Sequence, residues 1–226
     1  MTVPSDPTAG STPTMHPDFT VLRTDLPATL VLADTAGPAA WARTDDSVLT
    51  EQERNYAAEF DPETAATWAA GRVVLRHVLG AVLDTDPAAI EIRLDSAGKP
   101  RVDDVEFSIT RARRLVLVAV SVDPVGLDLE AIPDHDVAAE AAGLLHPRER
   151  EELAALNADD LAAAFVRVWA RKEAFLKALS TGLARDPGMD YIGAGETPDS
   201  PHPDVDIHDL SEGIPAGFAA AIAFNR

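Results

Sequence analysis

The chain has 226 residues, is 46% hydrophobic and contains no cysteine, which excludes disulfides, thiolate metal sites and cysteine nucleophiles. Its formal net charge of −19 argues against nucleic acid as a partner, because phosphate backbones are bound by Lys and Arg. No apolar run approaches the roughly 20 residues of a transmembrane helix. We therefore expect a globular monomer with no membrane partner, and by default a cytoplasmic location.

The first predicted elements follow a polar start. Residues 1–18 are rich in Pro, Thr and Ser and lack the features of a signal peptide, so we predict a flexible tail. Apolar and polar residues alternate weakly over 20–33, which predicts a strand. Thr50 to Glu53 resembles a capping box that begins a helix. A second helix is predicted to begin at Asp61, with Pro62 in its first position.

For the rest of the chain, the sequence predicts strands first and then helices. Strands are predicted at 89–94, 105–110, 115–122 and 125–132, with a turn at 96–100 between the first two. Helices are predicted at 137–145, 147–156 and 158–180, followed by a loop at 198–203 and a last strand at 217–224.

Two parts of the chain resemble each other weakly. Trp68-Ala69 and Leu75-Arg76 recur, at one common spacing, as Trp169-Ala170 and Leu176-Lys177. Such a long repeat favours two similar subdomains, which we place at 19–122 and 123–226, with a ligand cleft between them. Chance similarity between Ala-rich helices is the alternative.

A pair of carboxylates marks the strand predicted at 125–132. Asp128 and Glu130 alternate with apolar residues, so they share one face, about 6.5–7 Å apart along the strand. Neighbouring anions repel unless a cation lies between them, and Mg²⁺ prefers such oxygen ligands. Gly126 leaves room for a ligand or a backbone to approach closely. The alternative is an ordinary edge strand whose polar residues face water.

A second group lies on the helix predicted at 158–180. Trp169, Glu173 and Lys177 are spaced four residues apart, which places an indole, a carboxylate and an ammonium on one face. The alternative is a surface Glu–Lys pair. The Trp makes a fully solvated stripe a poorer interpretation.

Basic side chains form candidate phosphate sites in this acidic chain. Lys99 lies in a Gly-Lys-Pro turn, and Thr110 and Arg111 end a strand with a hydroxyl and a guanidinium, both suited to phosphate. Solvated surface charge is the alternative for each residue, and a structural ion pair is the alternative for Arg72. The other candidates are Arg113, Arg114, Arg167, Arg171, Lys172 and Lys177.

Taken in chain order, these motifs resemble the surfactin-synthetase-type (Sfp-type) 4′-phosphopantetheinyl transferase family between residues 49 and 184. The matching positions are Leu49 to Arg54, then Gly71, Arg72, Leu75 and Arg76, then Gly98 to Pro100, then Gly126, Asp128 and Glu130, then Trp169, Lys172, Glu173 and Lys177. The last two motifs are the specific ones. Thr110-Arg111 stands where the family has Ser-His, so the geometry or pH dependence of phosphate binding is expected to differ.

The resemblance implies an α+β fold of two subdomains related by a pseudo-twofold axis, each a small antiparallel sheet with packed helices. It implies transfer of the phosphopantetheine arm of coenzyme A to a serine of an acyl or peptidyl carrier protein of polyketide or nonribosomal peptide biosynthesis. The implied Mg²⁺ ligands are Asp128, Glu130 and Glu173, and the implied catalytic residues are Glu173, Lys177 and Lys172. The implied coenzyme-binding residues are Arg72, Arg76, Lys99, Pro100, Thr110, Arg111 and Trp169.

Three points stay open at this level. Glu173 is either a metal ligand or the general base, because a carboxylate bound to a dication is a poor base. Glu149 is a candidate for a further carboxylate behind the metal ligands. Two rival functions are a non-enzymatic relative that binds coenzyme A or carrier proteins, and a different Mg²⁺-dependent phosphotransferase.

Overall fold

A computed structural model describes residues 14–95, 98–181 and 185–226. The predictions made for residues 1–13, for Ser96 and Ala97 of the turn, and for 182–184 lie outside these ranges. The chain forms two compact units, of which one ends at Val122 and the other begins at Asp123. In the described ranges, no helix is both long enough and apolar enough to cross a membrane.

The first unit contains a four-stranded antiparallel sheet. Its strands are β1 (Thr20–Leu22), β2 (Ala28–Asp34), β5 (Glu106–Ala112) and β6 (Leu115–Ser121), in the order β1-β2-β6-β5. A separate pair is formed by β3 (Arg93–Leu94) and β4 (Pro100–Arg101). The single strand predicted at 20–33 is therefore wrong, because it is two strands that pair with each other. The prediction at 89–94 is also too long, since a short 3-10 helix covers Pro87–Ala89.

Both helices of this unit begin as their sequences predict. Helix α1 (Glu51–Ala57) has a complete capping box, in which Thr50 accepts from the Glu53 amide and Glu53 accepts from the Thr50 amide. Helix α2 (Pro62–Leu83) is capped by Asp61. It ends at Leu83 and is followed by the capping residue Asp84, whose backbone is left-handed at φ 50°. The core of the unit is formed by apolar residues of α2 and the sheet, including Val73, Val74, Val78, Val31, Val116 and Val118.

Part of the predicted flexible tail is packed. The His16 ring lies 4.4 Å from the Trp41 ring and 5.4 Å from the Phe19 ring, measured between centroids. Met15 packs against the same apolar core. Residues 14–18 therefore form part of the first unit.

The second unit contains a three-stranded antiparallel sheet with three helices. Its strands are β7 (Val125–Ala131), β8 (Val205–Leu210) and β9 (Phe218–Asn225), with β9 in the centre. Its helices are α3 (His135–Ala141), α4 (Pro147–Ala154) and α5 (Ala158–Ala178). The sequence pattern did not predict β8, because charged residues and His208 interrupt its short apolar alternation.

The α+β class, with small antiparallel sheets and packed helices, is confirmed. The predicted pseudo-twofold axis and the predicted cleft stay predictions.

Candidate active site

Strand β7 presents two different faces. Val125, Leu127 and Leu129 alternate along one face and are fully buried. Gly126, Asp128 and Glu130 alternate on the other face, against which α5 packs. The alternation of the strand therefore places both carboxylates towards the helix that carries Glu173 and Lys177.

Gly126 is the point at which α5 lies directly on the strand. A Cβ at this position would lie 1.9 Å from the Ala174 carbonyl oxygen and 2.3 Å from the Ala178 amide nitrogen. The close approach predicted for Gly126 is thus made by the helix backbone, and any larger residue would force α5 away from β7.

Asp128 and Lys177 form the ion pair at the centre of this contact. The Lys177 ammonium donates to Asp128 Oδ1 at 2.6 Å and to the Leu127 carbonyl at 3.1 Å. The Asp128 side chain is only 4% exposed, whereas that of Lys177 is 30% exposed. The ammonium therefore lies at the boundary between the core and solvent.

The surrounding carboxylates have unusual proton affinities. The pKa of Glu130 is raised to about 7, first by burial and then by the negative charges of Asp128 and Glu173, while Lys177 opposes the shift. Burial also raises the pKa of Glu173, with Lys177 opposing and Asp128 adding to the effect. Burial and the neighbouring negative charge thus disfavour the ionised forms of Glu130 and Glu173.

This donor set fits a hard divalent cation by its chemistry, since all three side chains offer carboxylate oxygens. The positions of these side chains fit a metal ion less well than their chemistry does. Across the described part of the chain, no three His, Cys, Asp or Glu side chains converge closely enough to hold a metal ion. The Lys177 ammonium also occupies one oxygen of Asp128.

Lys172 lies away from this group, contrary to its predicted catalytic role. Its side chain is 2% exposed, and its ammonium lies 2.8 Å from Glu149 Oε2. The other two donors bind the carbonyl oxygens of Pro187 and Asp190. All three hydrogens of the ammonium are therefore used in the interior, which leaves none for a substrate phosphate.

Glu149 is the partner that keeps Lys172 in place. Its fully buried carboxylate accepts from the amides of Ile192 at 2.7 Å and Gly193 at 3.2 Å through Oε1. Oε2 accepts from the His146 amide at 3.0 Å. The carboxylate ties α4 to α5 and to the following loop, so we assign it to the fold and not to a second layer of metal ligands.

Trp169 is placed in an apolar cluster. Its ring is stacked at 27° on that of Phe165, 6.1 Å between centroids. The cluster also contains Leu145 and Leu153. The structure gives Trp169 a packing role, and its predicted coenzyme contact stays a prediction.

In the first unit, Arg76 also has a structural position. It is 1% exposed, and its Nε donates to Glu53 Oε2 at 2.9 Å. Its Nη1 donates to the carbonyls of Pro87 and Ile90. Arg76 therefore connects α1, α2 and the chain after α2, and its predicted coenzyme contact is not supported.

Arg72 and Arg111 form a cationic group. Arg72 lies 3.4 Å from Glu53 and above the Trp68 ring, 5.2 Å from its centroid. Burial lowers the Arg72 pKa, and the charge of Arg111 contributes to the same direction. Within the described ranges, the buried Nη1 of Arg72 has no hydrogen-bond partner.

A glycine allows Arg111 to lie across α2. A Cβ at Gly71 would approach Arg111 Nη1 to 2.7 Å. Gly71 and Arg72 of the predicted motif thus lie beside Arg111 of the following sheet. The two guanidiniums leave positive charge that the single Glu53 carboxylate, shared with Arg76, does not balance.

The other predicted coenzyme residues are less closely grouped. Lys99 lies among Asp95, Arg101 and Glu106, and burial followed by the charge of Arg101 lowers its pKa. Pro100 begins β4, and Thr110 is buried in β5. The structure therefore groups Arg72 with Arg111 and assigns Lys99 to a different set of charges.

Sequence reasoning also missed two residues that hold α5. Arg171, predicted as one of several candidate phosphate-binding cations, is fully buried and bound to Asp209 of β8. No signal in the sequence could have identified this pair, because it depends on the pairing of a strand that was itself not predicted.

Comparisons with known proteins point to one family. A family described as the 4′-phosphopantetheinyl transferase superfamily matches residues 124–216, which include all three carboxylates. Over this stretch the chain is similar to that superfamily. The resemblance predicted from the motifs is thereby confirmed.

Individual relatives carry the same name. The 4′-phosphopantetheinyl transferase HetI of Nostoc sp. is 33% identical over 148 residues, covering 62% of this chain and 61% of the relative. The gsp transferase of Aneurinibacillus migulanus is 28% identical, covering 61% and 58%. The Sfp transferase of Bacillus subtilis is 27% identical, covering 61% and 63%. The match thus spans about three fifths of each of these relatives.

Proposed function

We propose that this protein transfers the 4′-phosphopantetheine arm of coenzyme A to a serine of an apo carrier protein and releases adenosine 3′,5′-bisphosphate. The observation that carries the proposal is the excess of carboxylates over ammonium groups where β7 meets α5. The names of the relatives and of the matching superfamily support the same activity. A cytoplasmic, monomeric enzyme completes the proposal.

In this proposal, Asp128, Glu130 and Glu173 would hold Mg²⁺. The bound cation would neutralise charge on the diphosphate of coenzyme A. Support comes from the donor chemistry, since burial and then the neighbouring Asp128 charge raise the pKa of Glu130, and a bound cation would favour its ionised form. Lys177 orients Asp128 and places a positive charge beside it.

The carrier serine must lose a proton as it attacks, and Glu173 is the proposed acceptor. A carboxyl with a raised pKa is a better base at neutral pH than an ordinary carboxylate. The same group loses this property when it binds a dication directly. Comparing the activity of Glu173→Gln and Glu173→Asp with their affinity for Mn²⁺ separates a ligand role from a base role.

Arg72 and Arg111 are proposed to bind phosphates of coenzyme A. The charge of Arg111 contributes to the lowered pKa of Arg72, and a phosphate would balance the positive charge of both guanidiniums. Arg111→Ala is expected to raise the KM for coenzyme A about tenfold, or about 1.4 kcal/mol, in steady-state kinetics. Arg114→Ala, on the same hairpin, should leave the KM unchanged.

Arg111→His sharpens that assignment. Because an arginine stays charged and a histidine titrates near neutral pH, the variant should show a KM that rises between pH 6 and 8, unlike the wild type. A KM that is insensitive to both substitutions would remove Arg111 from the coenzyme site.

One assay tests the proposed activity directly. The protein is incubated with coenzyme A, Mg²⁺ and an apo carrier protein, and the carrier is then weighed by intact mass spectrometry. We expect the mass of one phosphopantetheine arm to be added, and a chelator to prevent it. No mass gain, with an active transferase in parallel, would refute transfer. Coenzyme A binding without transfer would favour a non-enzymatic relative, and phosphate turnover without a carrier would favour a different phosphotransferase.

The net charge of the chain indicates which class of carrier protein it modifies. A chain of net charge −19 does not attract acidic carriers over long range. We therefore propose a carrier protein of low net charge, such as a peptidyl carrier protein. When acyl and peptidyl carrier proteins are compared as substrates, we expect the peptidyl carrier to have the higher kcat/KM.

A further inference from the structure

Helix α5 packs against the three-stranded sheet of its unit through small side chains. Ala170, Ala174 and Ala178, spaced four residues apart, are buried in the same cluster as Ala221 and Ala223 of the central strand. The Gly126 contact described above continues this surface onto β7. Ridges and grooves made of Ala and Gly are shallow, so they permit close approach but restrict rotation and sliding less than large side chains do.

Two ion pairs flank this Ala- and Gly-rich contact, and their carboxylates lie at the same register position of the sheet. Asp128 on β7 and Asp209 on β8 are both register partners of Ala221. They therefore share a face of the sheet on opposite sides of β9, about 10 Å apart by two strand spacings. Lys177 binds the first carboxylate and Arg171 binds the second.

The Arg171 pair is strongly directional. Its Nε donates to Asp209 Oδ1 at 2.7 Å and its Nη2 to Oδ2 at 2.5 Å. Its Nη1 donates to the Gly193 carbonyl at 2.8 Å. A planar guanidinium held at two edges fixes both the position and the rotation of the helix that carries it.

We propose that Arg171 and Asp209 are positioning residues for the carboxylate group. Together with the Lys177–Asp128 pair, they set the register of α5 on the sheet. Glu173 lies between Arg171 and Lys177 on that helix, so its position relative to Asp128 and Glu130 depends on both pairs. Neither Arg171 nor Asp209 belongs to the family motifs described above. The inference rests on the proposed function for its kinetic consequence, and on the fold alone for the geometry.

The experiment separates positioning from simple stability. Asp209→Asn removes the charge but keeps the size of the side chain. The double variant Arg171→Met/Asp209→Leu replaces the pair, of which Arg171 is buried and Asp209 is 27% exposed, with apolar residues of similar size, a change that restores stability for many buried pairs. Asp206→Asn is the matched control, because Asp206 lies on the same strand in an exposed pair with Arg226.

Each full-length variant is measured in three ways. Urea unfolding after chelation reports stability, electron paramagnetic resonance of added Mn²⁺ reports metal affinity, and carrier modification reports kcat and KM. For Asp209→Asn we expect lower stability, Mn²⁺ affinity about tenfold weaker and kcat about tenfold lower, with the KM for coenzyme A little changed. The double variant should regain stability but not Mn²⁺ affinity or kcat. Asp206→Asn should match the wild type.

Two results would overturn the inference. One is a double variant that regains Mn²⁺ affinity together with stability, and the other is a wild-type protein that binds no Mn²⁺. Failure of the proposed function looks different, because the wild type would then leave the carrier unmodified while the variants still differ in Mn²⁺ affinity.

Discussion

Two lysines of α5 bind carboxylates in opposite ways. Lys172 and Glu149 are both buried, and every donor of the ammonium and both carboxylate oxygens have partners. Lys177 instead faces Asp128 at the border with solvent, with Glu130 and Glu173 adding negative charge nearby. The same residue types thus form a balanced structural pair in one place and an unbalanced group in the other.

The difference shows how a site can be recognised physically. A buried pair is tolerated when hydrogen bonds satisfy both partners, and it then holds elements together. Carboxylates in excess raise one another's pKa and stabilise the fold poorly at neutral pH. Such an arrangement is expected where a cation or a substrate supplies the missing charge.

The largest expected effect follows from removing the central carboxylate of the unbalanced group. Asp128→Ala should lower kcat/KM for carrier modification by more than about 1,000-fold, or about 4 kcal/mol, because Lys177 and any cation both lose their ligand. Progress of the reaction is followed by the carrier's intact mass. Asp206→Ala is the control, and an Asp128→Ala variant with full activity would show that the group is not the active site.

The second effect concerns the balanced pair. Lys172→Met should lower the free energy of unfolding by about 3 kcal/mol, because it leaves the buried Glu149 charge without its cation and two carbonyls without their donor. Urea unfolding measures the change. The double variant Lys172→Met/Glu149→Gln should recover part of it. A stable single variant that has lost activity would instead return Lys172 to the catalytic residues.

The smallest effect is a gain of stability. The folded pKa of Glu130 is about 7 and lies above its ordinary value of 4.5, so the proton is held more tightly in the folded state. The stability it contributes is present below about pH 4.5 and is lost as the pH rises to 7. Glu130→Gln, which does not titrate, should therefore be about 1–2 kcal/mol more stable than the wild type at pH 8 after chelation.

The pH dependence makes this prediction specific. The stability difference between Glu130→Gln and the wild type should shrink as the pH falls from 8 towards 4.5, because Glu130 then becomes protonated in the folded state. Urea unfolding at pH 5 and pH 8 measures it, with Glu140→Gln, on α3, as a control. A variant that is less stable than the wild type at pH 8 would show that Glu130 is already compensated within the fold.

Much of the local structure could be predicted from the sequence. The caps at Thr50 and Asp61 are short-range patterns that need no distant partner, so both helices begin where expected. Alternation along β7 was enough to place Asp128 and Glu130 on one face. The sequence did not predict that residues 20–33 form two strands, nor did it predict the short strand β8. Both features depend on pairing with other strands, which local periodicity does not reveal.

The sequence by itself determined which carboxylates share β7 and which residues share a face of α5, because strand and helix periods fix those relations. It also determined the resemblance to the transferase family. Only the tertiary structure decided that Lys177 joins the carboxylates while Lys172 is buried with Glu149. The two lysines are five positions apart and so point about 140° apart on the helix. Which direction meets the core depends on how α5 packs against the sheet, α4 and the loop at 187–196.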